Sequence, residues 1–212
     1  VTLVDLSMRA DAYNASDRDV ADGGTGRSEE SSATRFFPQA HLETSYPFVR
    51  PYEKFQAVIE PTVALTLAPN IEEDDEDIPN EDSLDVQLDA SNLFEPNRYP
   101  GLDRVEDRSR FTYGMKTGLY AYDGSRADVF LGQSLRFVEN DNPFPNGSGL
   151  SRQKSDFVGQ INALYQELYG VNYRFQINSD DMSSRRHELD AFAHWDVLQV
   201  NTRYLFADGL EG

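Results

Sequence analysis

The side chains of this chain that could perform chemistry are its three histidines and the carboxylates near them. His41 lies two residues before Glu43, and His194 shares one predicted strand face with Asp190 and Glu188. Either set could form a weak metal site or an acid–base pair. A wet, polar strand face offers the same residue types without any catalytic role, and we interpret both sets in this way.

Motifs typical of catalysis or phosphate binding are absent from the sequence. There is no nucleophile elbow, no zinc-protease helix motif and no phosphate loop. The stretch Gly23-Gly24-Thr25-Gly26 lies in a polar segment and not between a strand and a helix, which predicts a flexible loop. The chain has no cysteine, so a disulfide or a thiolate metal site cannot form within it. We predict no enzyme activity, no cofactor and no metal.

The charge of the chain argues against nucleic acid as a partner. Its formal net charge is −18, so phosphates would be repelled. Six consecutive acidic residues at 72–77 contribute to this charge, and such a run is usually a solvated loop, with cation binding as the less favoured alternative. Hydrophobic residues make up 39% and aromatic residues 12% of the chain, a composition that suits strands with one apolar and one wet face.

Alternation with a period of two is the main structural signal, and it predicts about nine strands. The seventh predicted strand is typical, because Val171, Tyr173 and Phe175 share one face while Asn172 and Arg174 share the other. No stretch approaches the roughly 18 apolar residues of a transmembrane helix. Strands of about 9–11 residues can cross a bilayer when tilted.

The connections between these strands are alternately short and long. Short joints are predicted near 47–53, 122–126, 168–170 and 195–197, whereas the joints near 14–33, 68–108 and 139–153 are long. The joint at 178–185 is the exception, because it is of modest length. Turns on one side and loops on the other are typical of an up-and-down transmembrane β-barrel. We therefore predict an all-β, antiparallel, up-and-down segment of such a barrel, which by itself forms an open curved sheet because nine strands is an odd number.

Full charges in the middle of strands support a wet barrel lumen, since a dry core could not hold them unpaired. The residues predicted to face the lumen are Asp5, Arg9, Glu60, Lys116, Arg136, Arg174 and Arg203.

Two segments depart from simple alternation. Apolar residues between Phe157 and Leu168 fall at helical spacing, so a short amphipathic helix stays open there beside the favoured strand. Pro61 lies within the third predicted strand, where it removes a backbone donor, and we expect a β-bulge or a sheet edge at this position.

The segment after Pro79 is predicted to form an ordered external cap within the long connection at 68–108. Leu84, Val86, Leu88, Leu93 and Phe94 supply apolar side chains that a solvated loop does not need. Arg98, Asp103 and Arg104 can supply charge-assisted hydrogen bonds for the returning chain. The residues assigned to this cap motif are Asn80, Asp82, Asn92, Phe94, Arg98, Asp103 and Arg104.

The loop sequence in this region resembles the barrel domain of the LptD family, which assembles lipopolysaccharide in the Gram-negative outer membrane. The resemblance is carried by residues 78–83, by Asn92 to Phe94, and by residues 97–104. Tyr46-Pro47-Phe48, Gly132-Gln133-Ser134 and residues 144–150 agree with it in order along the chain.

This resemblance implies the cell outer membrane as the location and lipopolysaccharide as the cargo. It also implies an LptE-like plug lipoprotein, periplasmic Lpt bridge proteins and outer-membrane lipid as partners. Residues 1–212 would then be an internal fragment of the C-terminal barrel domain, without the jellyroll domain and the terminal strands that form the lateral exit.

Three other classes of protein stay open from the residues alone. One is a different outer-membrane barrel, such as a porin or a receptor. Another is a barrel phospholipase, which needs a Ser–His pair at the lipid boundary that the sequence does not reveal. The last is a secreted acidic β-sandwich that binds calcium.

Overall fold

The computed structural model describes residues 1–19, 28–71, 86–138, 144–145 and 147–208. Side chains at 15–19 and 28–31 are outside this description. The glycine-rich stretch at 23–26, the acidic run at 72–77, and Leu84, Asn80 and Asp82 of the predicted cap also lie outside the described residues.

The described residues form strands joined by turns and loops. The strands are β1 Thr2–Asp19, β2 Ser28–Ser45, β3 Phe48–Pro51, β4 Phe55–Leu67, β5 Arg110–Ala121, β6 Arg126–Arg136, β7 Phe157–Tyr165, β8 Tyr169–Ile177, β9 Ser184–Trp195 and β10 Leu198–Ala207. No helix within the described ranges is long and apolar enough to cross a membrane.

All ten strands belong to one antiparallel sheet in the order β1-β2-β4-β5-β6-β7-β8-β9-β10, with β3 also paired to β4. β1 and β10 lie at opposite ends of this order, so the sheet is open. The predicted all-β, up-and-down, open arrangement is confirmed. The described strands form one sheet and not two, which does not match the β-sandwich alternative.

The described residues form ten strands, where about nine were predicted. The additional strand, β3, is four residues long and lies in the segment at 47–53 that we predicted as a turn. With ten strands, an odd number no longer explains the open sheet. The segment with helical spacing forms the strand β7, which pairs along its length with β8.

Pro61 lies at an interruption in strand pairing; of the two expectations, a β-bulge or a sheet edge, the bulge is not found, and β4 has a local free edge at this position. Ser45 pairs with Thr62 and Phe48 pairs with Ile59, which is the same register on both sides of a two-residue gap. Across the gap, Tyr46 donates its backbone N–H to the Pro61 carbonyl at 3.1 Å. In an antiparallel pair the N–H and C=O of a residue face the same neighbour. The missing donor of Pro61 therefore faces the gap between β2 and β3.

The two faces of the sheet differ in what covers them. One face carries exposed apolar side chains on every strand from β4 to β10; among the exposed positions are Ile59, Met115, Leu131, Ile161, Val171, Leu198 and Tyr204. The other face carries the polar and charged positions, and loop residues cover part of it. We call these the apolar face and the polar face.

The hydrophobic core lies between the loops and the polar face. Val86, Leu88 and Leu93 pack there against Val158 of β7, with Phe130 of β6 partly buried at its edge. The remaining buried members of this cluster are Tyr99, Phe144 and Leu150. The expected packing of Val86, Leu88 and Leu93 is confirmed, since each is at most 3% exposed.

Candidate functional site: the loop-covered polar face

Strand register places the seven charged positions of the sequence prediction on the polar face. Glu60 pairs with Lys116, and the same row continues to Arg174. A second row joins Asp5 to Arg136 through the intermediate strands. Arg9 and Arg203 lie on this face of β1 and β10, because side chains two residues apart point to the same side of a strand.

His41 is buried in the row that joins Asp5 to Arg136. Its Nδ1 is hydrogen-bonded to Thr66 Oγ1 at 2.9 Å, and its Nε2 lies 3.8 Å from Glu43 Oε2. In the part of the chain that the structure describes, no cluster of three or more His, Cys, Asp or Glu side chains could hold a metal ion.

In the second histidine set, which consists of His194, Asp190 and Glu188, both carboxylates pair with arginines. Asp190 accepts a hydrogen bond from Arg203 Nε at 2.6 Å. Glu188 lies 2.5 Å from Arg174 and also pairs with Arg186. His194 lies at the exposed end of β9, so its two predicted carboxylate partners are engaged by arginines.

A buried ion pair lies where the loop returns to the sheet. Arg98 Nε donates to Glu106 Oε2 at 2.7 Å, and both side chains are fully buried. Arg110 Nη1 lies 3.2 Å from the same carboxylate. Glu106 is therefore shared by two guanidinium groups, and it was missed by the sequence analysis. The five charged residues within 103–108 were the available signal, but they do not show which carboxylate is buried.

Side chains on the polar face of the sheet donate hydrogen bonds to backbone carbonyl groups of the loop. Arg35 Nη1 donates to the Asp103 carbonyl at 2.7 Å, and Gln39 Nε2 donates to the Pro96 carbonyl at 3.0 Å. Arg110 Nη2 donates to the same Pro96 carbonyl at 2.8 Å. Strands β2 and β5 thus bind the loop through carbonyl groups, which do not depend on the identity of the loop side chains.

The other predicted cap residues have separate roles. Asn92 Oδ1 accepts the backbone N–H of Asp89 at 2.9 Å, so it stabilises a turn inside the loop. Phe94 makes an edge contact with Phe130, with ring centroids 6.2 Å apart. The Arg104 guanidinium lies 5.8 Å from the Tyr99 ring centroid. We call residues 86–108 the cap segment.

The buried position of Glu106 changes its protonation behaviour. Burial by itself would raise its pKa, but the positive charges of Arg110 and Arg98 outweigh burial and hold the pKa of Glu106 below its ordinary value. Glu106 therefore carries its negative charge between the two guanidinium groups.

We expect the cap segment to stay ordered on acidification until Glu106 is protonated. A carboxyl with a lowered folded-state pKa stabilises the fold above its unfolded pKa, and this stability is lost as pH falls through the folded pKa. Amide hydrogen exchange at 97–106, corrected for intrinsic rates, should accelerate only below about pH 4. The variant Glu106→Gln should lack this transition. An acceleration that begins above the ordinary carboxyl range would contradict the assignment.

The structure also brings together a serine and a histidine that the sequence analysis did not pair. Ser184 Oγ contacts His187 Nε2, and His187 Nδ1 is hydrogen-bonded to the Tyr173 hydroxyl at 2.5 Å. A register irregularity between β8 and β9 at this point explains why alternation did not reveal the contact. The group that contacts Nδ1 is a hydroxyl and not a carboxylate, and the contact lies at the loop end of the sheet.

An open antiparallel sheet with one exposed apolar face and one charged face is the architecture of a β-barrel wall segment. Comparison with known families agrees, because the family model LPS transport system D matches residues 4–211. The chain belongs to the LptD family.

Curated relatives match most of this chain at low identity. LPS-assembly protein LptD of Salmonella typhi is 27% identical over 94% of this chain and 27% of its own length. The protein of the same name from Aeromonas salmonicida is 25% identical over 84% of this chain and 23% of its own length. The protein of this name from Salmonella typhimurium is 29% identical over 92% of this chain and 25% of its own length. The chain thus spans about a quarter of the length of these relatives.

Proposed function

We propose that this chain forms part of the wall of an outer-membrane β-barrel that transports lipopolysaccharide and assembles it into the outer leaflet. The observation that carries this proposal is the family match at 4–211 on a sheet with two chemically different faces. The apolar face contacts lipid and the polar face lines the lumen. A larger barrel would continue from the unpaired edges of β1 and β10.

The energetic basis of this orientation is the cost of a charge in lipid. An Arg or Lys on the lipid face at the bilayer midplane costs about 2–4 kcal/mol. Lys116, Arg174 and Arg203 would each carry this cost if the sheet were reversed, whereas a wet lumen removes it. Strand lengths such as the ten residues of β10 match the roughly 9–11 needed to cross a bilayer.

The cap segment is proposed to cover the lumen at the loop end of the barrel. Its apolar residues pack on Phe130 and Val158 of the polar face, so it lies over β6 and β7. There it would restrict passive leakage while lipopolysaccharide leaves sideways. The proposed partners are lipopolysaccharide, an LptE-like plug lipoprotein, periplasmic Lpt bridge proteins and outer-membrane lipid.

Site-directed spin labels in the full-length protein test the proposed orientation. A label at Leu65, on the apolar face, should collide with dissolved oxygen in lipid, and a label at Arg174 should collide with a water-soluble relaxant. Ile161 and Gln160, neighbours on β7, give a pair of positions matched in depth. Reversed accessibilities in both pairs would defeat the barrel assignment.

A further inference from the structure

The length of the strands defines where the apolar face ends on the loop side. On β5, Phe111 and Ala121 lie on this face and are ten residues apart. At about 3.4 Å per residue they are about 34 Å apart along the strand, and a tilt of about 35–45° makes about 24–28 Å of this vertical. The apolar band of an outer-membrane barrel is about 25 Å tall. Phe111 therefore lies where the apolar band ends and the lipid headgroups begin.

Polar groups appear on the apolar face at the same level. The Tyr113 hydroxyl donates to Gln133 Oε1 at 2.6 Å, and Gln133 Nε2 donates to the Ser155 carbonyl at 2.8 Å. Tyr113 and Gln133 are directly paired, and their side chains lie on the same face as those of Met115 and Leu131, which are exposed. A tyrosine suits a boundary that is apolar on one side and wet on the other. Both contacts agree with the headgroup level.

A lysine occupies this level beside β6. Lys154 is paired with Leu135, and directly paired side chains lie on the same face, so Lys154 belongs to the apolar face. It is exposed, and it forms no ion pair with the residues that the structure describes. The neighbouring Arg152, by contrast, is paired with Asp180. The ammonium group of Lys154 can therefore bind an anion from outside the chain.

An apolar cavity of about 560 Å³ adjoins this lysine. Its lining residues are Phe111, Leu135, Arg136, Phe137, Gln153 and Lys154. Phe111 and Leu135 are direct partners on the apolar face, and Phe137 is 53% exposed. The backbone fixes this arrangement, because the Arg136 N–H donates to the Gln153 carbonyl at 2.8 Å. A cation and an apolar cavity thus adjoin each other at the headgroup level.

We propose that this cavity binds a phosphate-bearing lipid of the outer leaflet, with an acyl chain against Phe111 and Phe137 and the phosphate at Lys154 Nζ. This inference rests on the proposed function, because it requires the apolar face to contact lipid. The carbon stem of a lysine packs on apolar surface while its ammonium group reaches the headgroups. The chain carries −18, so an anionic lipid is repelled by the net charge and is attracted at this cation.

The chemistry favours a lipid phosphate over a soluble anion or a peptide strand. A soluble phosphate would bind Lys154 but would leave the rings of Phe111 and Phe137 in contact with water, whereas an acyl chain buries them. A peptide strand binds a sheet through free backbone groups. Beside this cavity the backbone of β6 is already bonded to Gln153.

Photo-crosslinking of the full-length protein in nanodiscs tests this inference. The nanodiscs consist of phosphatidylcholine with a minor fraction of phosphatidic acid or, in a matched sample, of diacylglycerol with the same acyl chains. Phe137→p-benzoylphenylalanine places the photoreactive group at the cavity and keeps an aromatic side chain there. Tyr165→p-benzoylphenylalanine, on the same face at the turn end, is the control position. Mass spectrometry measures the lipid adducts.

At position 137 the adduct with phosphatidic acid should exceed the adduct with diacylglycerol by about fivefold, since one lysine near the surface attracts an anionic lipid by about 1 kcal/mol. Lys154→Gln should remove this preference, and Lys154→Arg should keep it. The matched control is Lys54→Gln, which removes an exposed lysine at the turn end and should leave the ratio at 137 unchanged. The ratio at position 165 should not respond to Lys154→Gln.

Equal adducts with both lipids at position 137, or a preference that survives Lys154→Gln, would overturn the phosphate assignment. Loss of the preference in Lys154→Arg would also overturn it, because the positive charge is kept there. Adducts at position 165 without any at 137 would show that the cavity does not bind lipid, while the proposed function stands. If neither position forms a lipid adduct, the apolar face does not contact lipid and the proposed function itself fails.

Discussion

Replacement of Glu106 by alanine should destabilise the packing of the cap segment by about 3–5 kcal/mol, because removal of one partner leaves buried charge without compensation. Both Arg98 and Arg110 would lose their shared carboxylate, and their side chains are 0% and 1% exposed. Water cannot readily replace the carboxylate at this depth. Amide hydrogen exchange over 86–108 should therefore become much faster, while exchange in β7 to β9 changes little.

The matched control for this variant is Glu95→Ala. Glu95 lies in the same segment, but it is exposed, and the hydrogen bond from Arg110 goes to its backbone carbonyl. This control should change exchange very little. Glu106→Gln, which keeps the shape but loses the charge, should give an intermediate effect. Equal exchange in the alanine variant and the unmodified protein would show that the ion pair does not hold the cap segment.

If the cap segment covers the lumen as proposed, removal of the apolar contacts under it should admit molecules that the outer membrane otherwise excludes. Leu88 and Leu93 are both 0% exposed, and truncation of a buried Leu to Ala costs about 2–5 kcal/mol at each site. The double variant Leu88→Ala/Leu93→Ala should therefore detach the cap segment from Phe130 and Val158. In whole cells, uptake of a large antibiotic that the outer membrane normally excludes should rise severalfold.

Leu102→Ala provides the control, since Leu102 belongs to the same segment and its side chain is 68% exposed. This variant should leave uptake unchanged. Hydrogen exchange must be measured on the same proteins to show that the double variant loosens residues 86–108. If the segment is loosened and antibiotic uptake stays the same, the segment is not the barrier to leakage.

The class of fold and the division into two faces could be predicted from single residues and their alternation. The alternation from Val171 to Ile177 assigns these side chains of β8 to one face or the other, and similar patterns do the same in β4, β5 and β10. This works because side-chain direction in a strand depends only on whether a position is odd or even. The long cap segment was also visible, since apolar residues such as Leu88 and Leu93 have no reason to occur in a solvated loop.

Contacts between strands were decided only by the tertiary structure. Alternation shows that Asn162, Asn172 and Asp190 can share a face, but only the register places them in one row. The carboxylate of Glu106 is likewise one of three in the charged segment at 103–108, and only packing shows that it is buried beside Arg98 and Arg110. The physical reason is the range of each effect: strand alternation arises within a few bonds, whereas register and charge burial depend on residues distant along the chain.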